Sequence, residues 1–223
     1  MDTESLSPEE MARVLRALEF INTWLGGTRA TLWHLKRFSR FWRPRQTIRI
    51  VDWGTGGADI PRAIVRWARR NNFRIEILGM DNHPAVLDYA RKACRDYQEI
   101  RLMEGDLSRL SSLQEPFDYA ISSLCLHHLT NETIVQLLTK SDHFVQRGII
   151  MNDLKRSSRA WAWIWALSRI FHAPPIVQQD GPLSVRRAFT AQELNDFARK
   201  ADVPYLKTFT HFGYRLTLAG EKI

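Results

Sequence analysis

The residues best suited to chemistry sit at the ends of apolar runs. Ile50-Val51-Asp52-Trp53-Gly54-Thr55-Gly56-Gly57-Ala58-Asp59 follows one apolar stretch and precedes an amphipathic one. Glycines there let the backbone turn sharply and approach a ligand, at the strand end where open α/β sheets bind their ligands. Taken alone, the loop also fits a plain tight turn. Asp81 closes Gly79-Met80-Asp81, a position from which a carboxylate accepts hydrogen bonds from both hydroxyls of a ribose. A solvated loop charge is the alternative for Asp52 and for Asp81. His127 and His128 follow a later apolar run; an imidazole tuned near neutral pH can take a proton from a hydroxyl there, or simply closes the loop before Thr130. Asn152 and Asp153 follow Ile149-Ile150-Met151. They can orient an acceptor or assist His128, while Asp153 equally suits a helix cap.

These residues need a frame that brings them to one edge. Ser7-Pro8-Glu9-Glu10 reads as a cap, a first-turn proline and an acidic first turn, opening a helix that carries Met11, Val14, Leu15 and Leu18. After Gly26-Gly27 a second, basic-amphipathic helix runs through Leu32, Trp33, Leu35, Phe38 and Phe41 until Pro44 stops it. From Ile48 strand and helix patterns alternate, as in a parallel sheet with crossover helices. The expected strands are Ile48 to Trp53, Arg74 to Met80, Ile100 to Glu104, Phe117 to Ser122 and Gly148 to Asn152. The expected helices are Ile60 to Asn71, Pro84 to Tyr97 and Asn131 to Thr139, and Asp106 to Pro116 reads as a linker. A capped helix from Thr190 to Ala201 and a hairpin of Tyr205 to Phe212 and Tyr214 to Gly220 complete the pattern, the hairpin forming an antiparallel edge.

Between them, Arg156 to Arg187 interrupts the alternation with a tryptophan-rich segment and a Pro/Gly loop from Pro174-Pro175 to Gly181-Pro182. Trp161, Trp163 and Trp165 alternate, so in a helix some must point away from the core. With Leu167, Ile170, Phe171, Lys155, Arg156 and Arg159 they form either a lid over an apolar ligand, ordinary packing against the sheet or a dimer partner, or a membrane-surface contact. Arg186 and Arg187 either hold an acidic group or face solvent.

The 223 residues, 44% of them hydrophobic, suffice for one sizeable core. The formal charge of +8 is spread along the chain without a long basic run, so no stable nucleic-acid partner is expected. Cys94 and Cys125 have neither a metal nor a disulfide spacing, so no metal is expected and a reducing, cytoplasmic setting fits. The start MDTESLSPEE lacks a signal-peptide pattern, and Ala160 to Phe171 is far short of the roughly 20 residues of a membrane span.

The ligand can be narrowed. In the dinucleotide pattern G-x-G-x-x-G the third glycine would fall at Asp59, and a carboxylate there, beside Asp52, would face a pyrophosphate. Like charges there are costly, whereas S-adenosylmethionine has no phosphate and offers an ammonium and a sulfonium that acids favour. Asp52-x-Gly54-x-Gly56-Gly57 resembles motif I of class I S-adenosylmethionine-dependent methyltransferases, with Ala58 where a third glycine is common. Glu104-Gly105-Asp106-Leu107 is similar to that family's third-strand motif, which implies adenine contacts from Asp106 and the Leu107 amide. Phe117-Asp118-x-x-x-Ser122-Ser123-x-x-x-His127-His128-Leu129 resembles the motif beside the methionine moiety. The likeness spans about Ile48 to Gly220. It implies an α/β, Rossmann-like, seven-stranded, mostly parallel sheet with helices on both faces and strand order 3, 2, 1, 4, 5, 7, 6.

The implied cofactor contacts are Asp52, Gly54, Thr55, Gly56, Asp81, Asn82, Asp106, Leu107, Ser122 and Ser123, with His128, His127 and Asp153 as candidate catalytic residues. Residues 1–45 form a helical cap on the substrate side, and 46–223 the cofactor-binding domain with an insertion at 155–188. Asn22-x-x-Leu25-Gly26 and Leu126-His127-His128-Leu129 look closest to small-molecule methyltransferases of the ubiquinone/menaquinone type. The expectation is methylation of an apolar, aromatic, polyketide- or quinone-like molecule at oxygen or carbon, by a monomer or homodimer. An RNA methyltransferase, an NAD-dependent oxidoreductase and a non-catalytic binding module are the alternatives.

Overall fold

The computed structural model describes residues 7–105, 116–170 and 173–222; Asp106, Leu107, the linker up to residue 115 and Phe171 lie outside the described residues. Ser7 caps α1 (Pro8–Trp24). Its Oγ accepts the Glu10 N–H at 3.3 Å while the Glu10 carboxylate accepts the Ser7 N–H at 2.9 Å, which satisfies donors that a helix start leaves bare. Gly26 at φ +85° then lets the chain reverse into α2 (Gly27–Phe38). The alternation follows as β1 (Thr47–Trp53), α3 (Asp59–Arg70), β2 (Arg74–Asp81), α4 (Pro84–Ala93), β3 (Ile100–Glu104), β4 (Phe117–Ser123), α5 (Asn131–Phe144) and β5 (Val145–Leu154). The chain closes with α6 (Ser158–Ile170), α7 (Pro175–Arg187), α8 (Ala191–Lys200), β6 (Lys207–His211) and β7 (Arg215–Glu221).

The seven strands lie in the order β3-β2-β1-β4-β5-β7-β6, parallel except for β7, which runs antiparallel to both β5 and β6. This is the expected Rossmann-like sheet. Side chains of β1 alternate between its faces. Ile48 and Ile50 pack with α2, α3 and α4, whereas Val51 and Trp53 pack with α5 and α8. Each such buried aliphatic side chain contributes about 1.5–3 kcal/mol. Two-sided burial puts the carboxyl ends of β1, β2 and β4 along one rim, the only place where their loops reach a ligand.

Some element boundaries differ from expectation. The second helix ends at Phe38; Ser39–Phe41 is a single 3-10 turn that leaves Phe41 exposed and turns Trp42 into the core. The helix from Pro84 stops at Ala93. Pro174-Pro175 through Gly181-Pro182 is largely helical, not a loop. Pro175 sits in the first turn, where its missing N–H costs nothing. Pro182 forfeits one helical hydrogen bond, at about 3 kcal/mol, but its ring is buried as α7 packs on α6 and α1. Gly181 permits that packing, because a Cβ there would come within 3.0 Å of Ile164. Asp153 caps no helix; it belongs to β5.

Candidate active site

The glycine loop is pinned from below. The Thr55 N–H donates to the Met80 carbonyl at 2.8 Å, and the Thr55 hydroxyl donates to the buried Asp52 carboxylate at 2.7 Å. Gly79 on β2 makes room for this, since a Cβ there would meet the Thr55 hydroxyl at 2.7 Å. Gly54 and Gly56 take left-handed φ values of +66° and +55°, and Ala58 follows at +56°. The last is an unusual conformation for a residue with a Cβ and costs roughly 1–2 kcal/mol. Gly56 therefore presents its bare backbone to open space, with nothing within 4 Å of where a Cβ would stand.

That space is a cavity of about 680 Å³ bounded by the loop, by Asp81, Asn82 and His83 after β2, and by Leu15, Leu18 and Asn22 of α1. Its size suits a nucleoside-sized ligand. Asp81 stands at its edge. One carboxylate oxygen accepts the Gly56 N–H at 2.9 Å and the other accepts the His83 N–H at 3.1 Å. A carboxylate has about four acceptor positions, so two remain for neighbouring hydroxyls. Trp53 and His83 line the cavity, and Trp53 Nε1 and His83 Nδ1 are buried without a hydrogen-bond partner among the described residues. Such atoms call for a ligand that supplies partners.

Gly54, Thr55, Gly56, Asp81, Asn82 and Ser123 all border this cavity. Asp52 and Ser122 do not. Asp52 lies beneath the loop, at 2% exposure, and the Ser122 hydroxyl is spent on the Trp53 carbonyl at 2.7 Å. Their types match a ligand-contacting motif, but β1 and β4 turn both side chains inward. Sequence reasoning placed Asp59 near the ligand without naming it as a contact, and it missed Asn22 as a site residue. Asp59 opens α3 on the cavity wall and accepts the Asn22 Nδ2–H at 2.9 Å. Its place in the first turn after the loop was a usable signal; the Asn22 contact, 37 residues away, was not.

The site's charge is acidic. Burial pushes the Asp52 carboxyl up to about 8 against the pull of the Thr55 hydrogen bond, with Asp59 and Asp81 pushing in the same direction. Burial also raises Asp59 and Asp81, opposed by the Asn22 hydrogen bond and by the Gly56 and His83 amides respectively. A cation entering the cavity relieves this repulsion, while a pyrophosphate would add to it. Protonated acids attract an ammonium less, so affinity for S-adenosylhomocysteine should fall as pH is lowered from about 8 toward the ordinary carboxylate range near about 4. Calorimetry across that window checks the slope; a flat profile would contradict it.

The histidine pair lies in a 3-10 turn, Leu126–His128, after β4. His127 is buried, and its Nδ1 lies 2.7 Å from Asp153 Oδ1, while its N–H donates to Asp153 Oδ2 at 3.1 Å. Burial would raise Asp153, yet His127 and the amides of Leu154 and His127 hold it below its usual value. Asp153 therefore serves His127, not His128 as the sequence suggested. Neighbours on a tight turn point in different directions, and only one can face β5. The His128 ring, 4.1 Å from that of His127, instead projects between the large cavity and a smaller one of about 120 Å³. Asn152 faces the other way, donating to the Gly27 carbonyl at 2.8 Å and so tying α2 to the sheet.

Residues 50–148 match the family model described as a methyltransferase domain. This stretch is a methyltransferase domain, and the chain as a whole has the fold of S-adenosylmethionine-dependent methyltransferases. None of the curated proteins matches the sequence. Among solved structures, a SAM-dependent methyltransferase from Aquifex aeolicus is 12% identical with a TM-score of 0.63, the match covering 98% of this chain and 100% of that one. Human N-acetylserotonin methyltransferase in complex with SAM is 15% identical, with a TM-score of 0.63 and coverage of 97% and 56%. An O-methyltransferase family 2 protein from Planctomyces limnophilus, in complex with apigenin, is 16% identical, with a TM-score of 0.60 and coverage of 100% and 64%. The chain spans between 49% and 60% of the length of several other matched proteins.

S-adenosylmethionine fits the methyltransferase site as described: paired acceptors at Asp81 for ribose hydroxyls, acids for an ammonium, and unpartnered indole and imidazole nitrogens. When bound, it supplies an electrophilic methyl group on a sulfonium. Asp81→Ala would remove the two acceptor positions open to ribose hydroxyls, each charged hydrogen bond there worth about 1.5–3 kcal/mol, and it frees the Gly56 N–H. S-adenosylhomocysteine affinity should drop at least about 100-fold, and Asp81→Asn should fall between. Unchanged affinity in both would remove Asp81 from the site.

Proposed function

We propose that the chain methylates a small apolar acceptor, aromatic, polyketide- or quinone-like, at an oxygen or carbon made nucleophilic by loss of a proton. The supporting observation is the smaller cavity. It is walled by Leu18 and Ile21 of α1, Leu154, and Ile164 and Val177 of α6 and α7, and it shares Leu18, Leu124 and His128 with the cofactor cavity. In this reading α1 and α2 form the substrate-side cap and the 155–188 insertion roofs the acceptor. The polar groups on the small cavity are His127, His128, Asp180 and Ser184, few enough to select an apolar molecule with one or two polar atoms.

Methyl transfer is a displacement at carbon, so the protein aligns nucleophile, methyl and sulfur and keeps water out. His128 is the proton acceptor in this scheme. Partial burial of its ring and the neighbouring His127 press it down to about 4, while Asp180 and Asp153 pull the other way. It is therefore neutral at pH 7 and free to accept a proton, and the imidazolium it becomes is faced by two acids. His128 would take the proton of the acceptor O–H as that oxygen becomes the nucleophile, and S-adenosylmethionine held by the glycine loop and Asp81 would supply the methyl group. Solved relatives of this fold include proteins whose names concern N-acetylserotonin and a complex with apigenin, both aromatic, which supports the acceptor class.

The test is transfer of labelled methyl from S-adenosylmethionine to a panel of phenols, naphthoquinols and enolic polyketides, run beside total RNA. Labelled phenolic or enolic product with unlabelled RNA is the expected result. Label in RNA alone would overturn the proposal.

A further inference from the structure

We infer that the outward face of α6, together with the end of α1 and the β6–β7 turn, is a docking surface for an anionic lipid membrane. Along α6, Arg159, Ala162, Trp163, Ala166, Arg169 and Ile170 recur every three to four residues, so they form one stripe. Trp163 is 58% exposed and Ile170 64%, with Trp165 beside them at 44%. The opposite side of the same helix is also apolar, burying Ala160 and packing Ile164 against α7. A helix that is apolar on both sides, and basic at intervals, is poorly matched to water on its outer face.

The stripe does not stand alone. Ile21 of α1 and Ile164 of α6 both line the small cavity, and on either side of Ile21 the same helix exposes Phe20 and Trp24. Phe212, in the β6–β7 turn, is 71% exposed, and its carbonyl lies against Gly26 just after that helix. Exposed aromatic groups thus occur on α6 and α1, which both wall the small cavity, and on the turn beside the end of α1.

Charge selects the occupant. From 155 to 187 the sequence holds six lysines and arginines and a single acid, Asp180, and Asp180 is turned into the cavity. Arg159, Arg169, Arg186 and Arg187 are exposed. Arg169 lies over the Trp165 ring at 4.3 Å, and Arg186 over Trp161 at 5.3 Å. Rings at the depth of acyl chains with guanidinium groups at the level of phosphates suit an anionic bilayer surface. A second copy of this chain would bring the same positive excess against it. Docking would set the cavity mouth at the membrane, where an apolar acceptor dissolves. That consequence rests on the acceptor reading above; the docking does not.

The full chain should co-sediment with vesicles of phosphatidylcholine and phosphatidylglycerol at least about tenfold more strongly than with phosphatidylcholine alone, and less so at high salt. Trp163→Ser with Trp165→Ser should abolish the binding and Arg169→Glu should weaken it, while calorimetry shows S-adenosylhomocysteine still bound and the fold therefore intact. Absent binding, equal binding to both vesicles, or full retention by the tryptophan variant would overturn the inference. So would a wild-type dimer, seen by light scattering, that the tryptophan variant dissociates. Vesicle binding without methyl transfer to any apolar acceptor would leave the docking standing and the proposed function in error.

Discussion

His128→Ala is expected to lower turnover on a phenolic or enolic acceptor by about 10²–10⁴-fold, the usual contribution of a positioned proton acceptor. The affinity for S-adenosylhomocysteine should change little, because Asp81, Asp59 and the glycine loop, which also line the cavity, would hold that ligand. Direct kinetics on the acceptor separate the two readouts: a loss in kcat marks the proton step, and a rise in KM alone would mark binding only. The pH profile adds a check. With His128 lowered to about 4, its acidic limb should not lie at the imidazole's ordinary value near 6.5. A kcat within a fewfold of wild type would assign His128 to the wall and not to the chemistry.

Asp153→Ala should cost about 3 kcal/mol of stability or more, because each of the buried donors it leaves without an acceptor costs about 1–3 kcal/mol. Asp153 is 1% exposed and accepts from His127 through both its side chain and its amide, and from the Leu154 N–H at 2.6 Å. Its negative charge also favours Arg215, a wholly buried guanidinium that burial presses down to about 10. Arg215 donates to the Asn22 side-chain oxygen at 3.1 Å, Asn22 donates to Asp59, and Arg215 Nη1 has no partner among the described residues. Removing Asp153 thus takes a compensating charge from Arg215 as well as releasing His127. The sign with pH follows from the lowered carboxyl: the stabilisation is fully present above the unfolded-state value of about 3.9 and disappears as pH falls through the lower folded-state value. Urea unfolding of wild type and variant measures the difference at neutral pH. A difference below about 1 kcal/mol would show that water already satisfies this carboxylate.

The sheet order and the cofactor loop were legible in the sequence because both depend on local pattern. Apolar runs bounded by turns fixed β1, β2 and β4, and the strand order came with the resemblance that the loop carries. Asp81 was legible for the same reason, standing where β2 ends. The helix α7 was not, because Pro175, Gly181 and Pro182 are read locally as breakers, whereas one falls in a first turn and the others are held by α6. The pairing of Asp153 with His127 and not His128 depends on how a 3-10 turn is rotated against β5, which spacing does not encode. The chain Asp59, Asn22, Arg215 joins residues from α1, α3 and β7. No motif connects them, and the only clue to Arg215 is an arginine inside an apolar strand, which asks for a partner that the sequence does not name. Asp52 and Ser122 show the converse: the motif identifies the strand ends, but the side chains support the loop from underneath.

The central claim is that the cavity beside Asp81 accepts a zwitterionic nucleoside thioether and rejects a dinucleotide. Calorimetric titration of the full chain with S-adenosylhomocysteine, in parallel with NADH, measures this directly. The account predicts saturable one-to-one binding of S-adenosylhomocysteine and no detectable heat from NADH. Saturable binding of NADH with none of S-adenosylhomocysteine would contradict it.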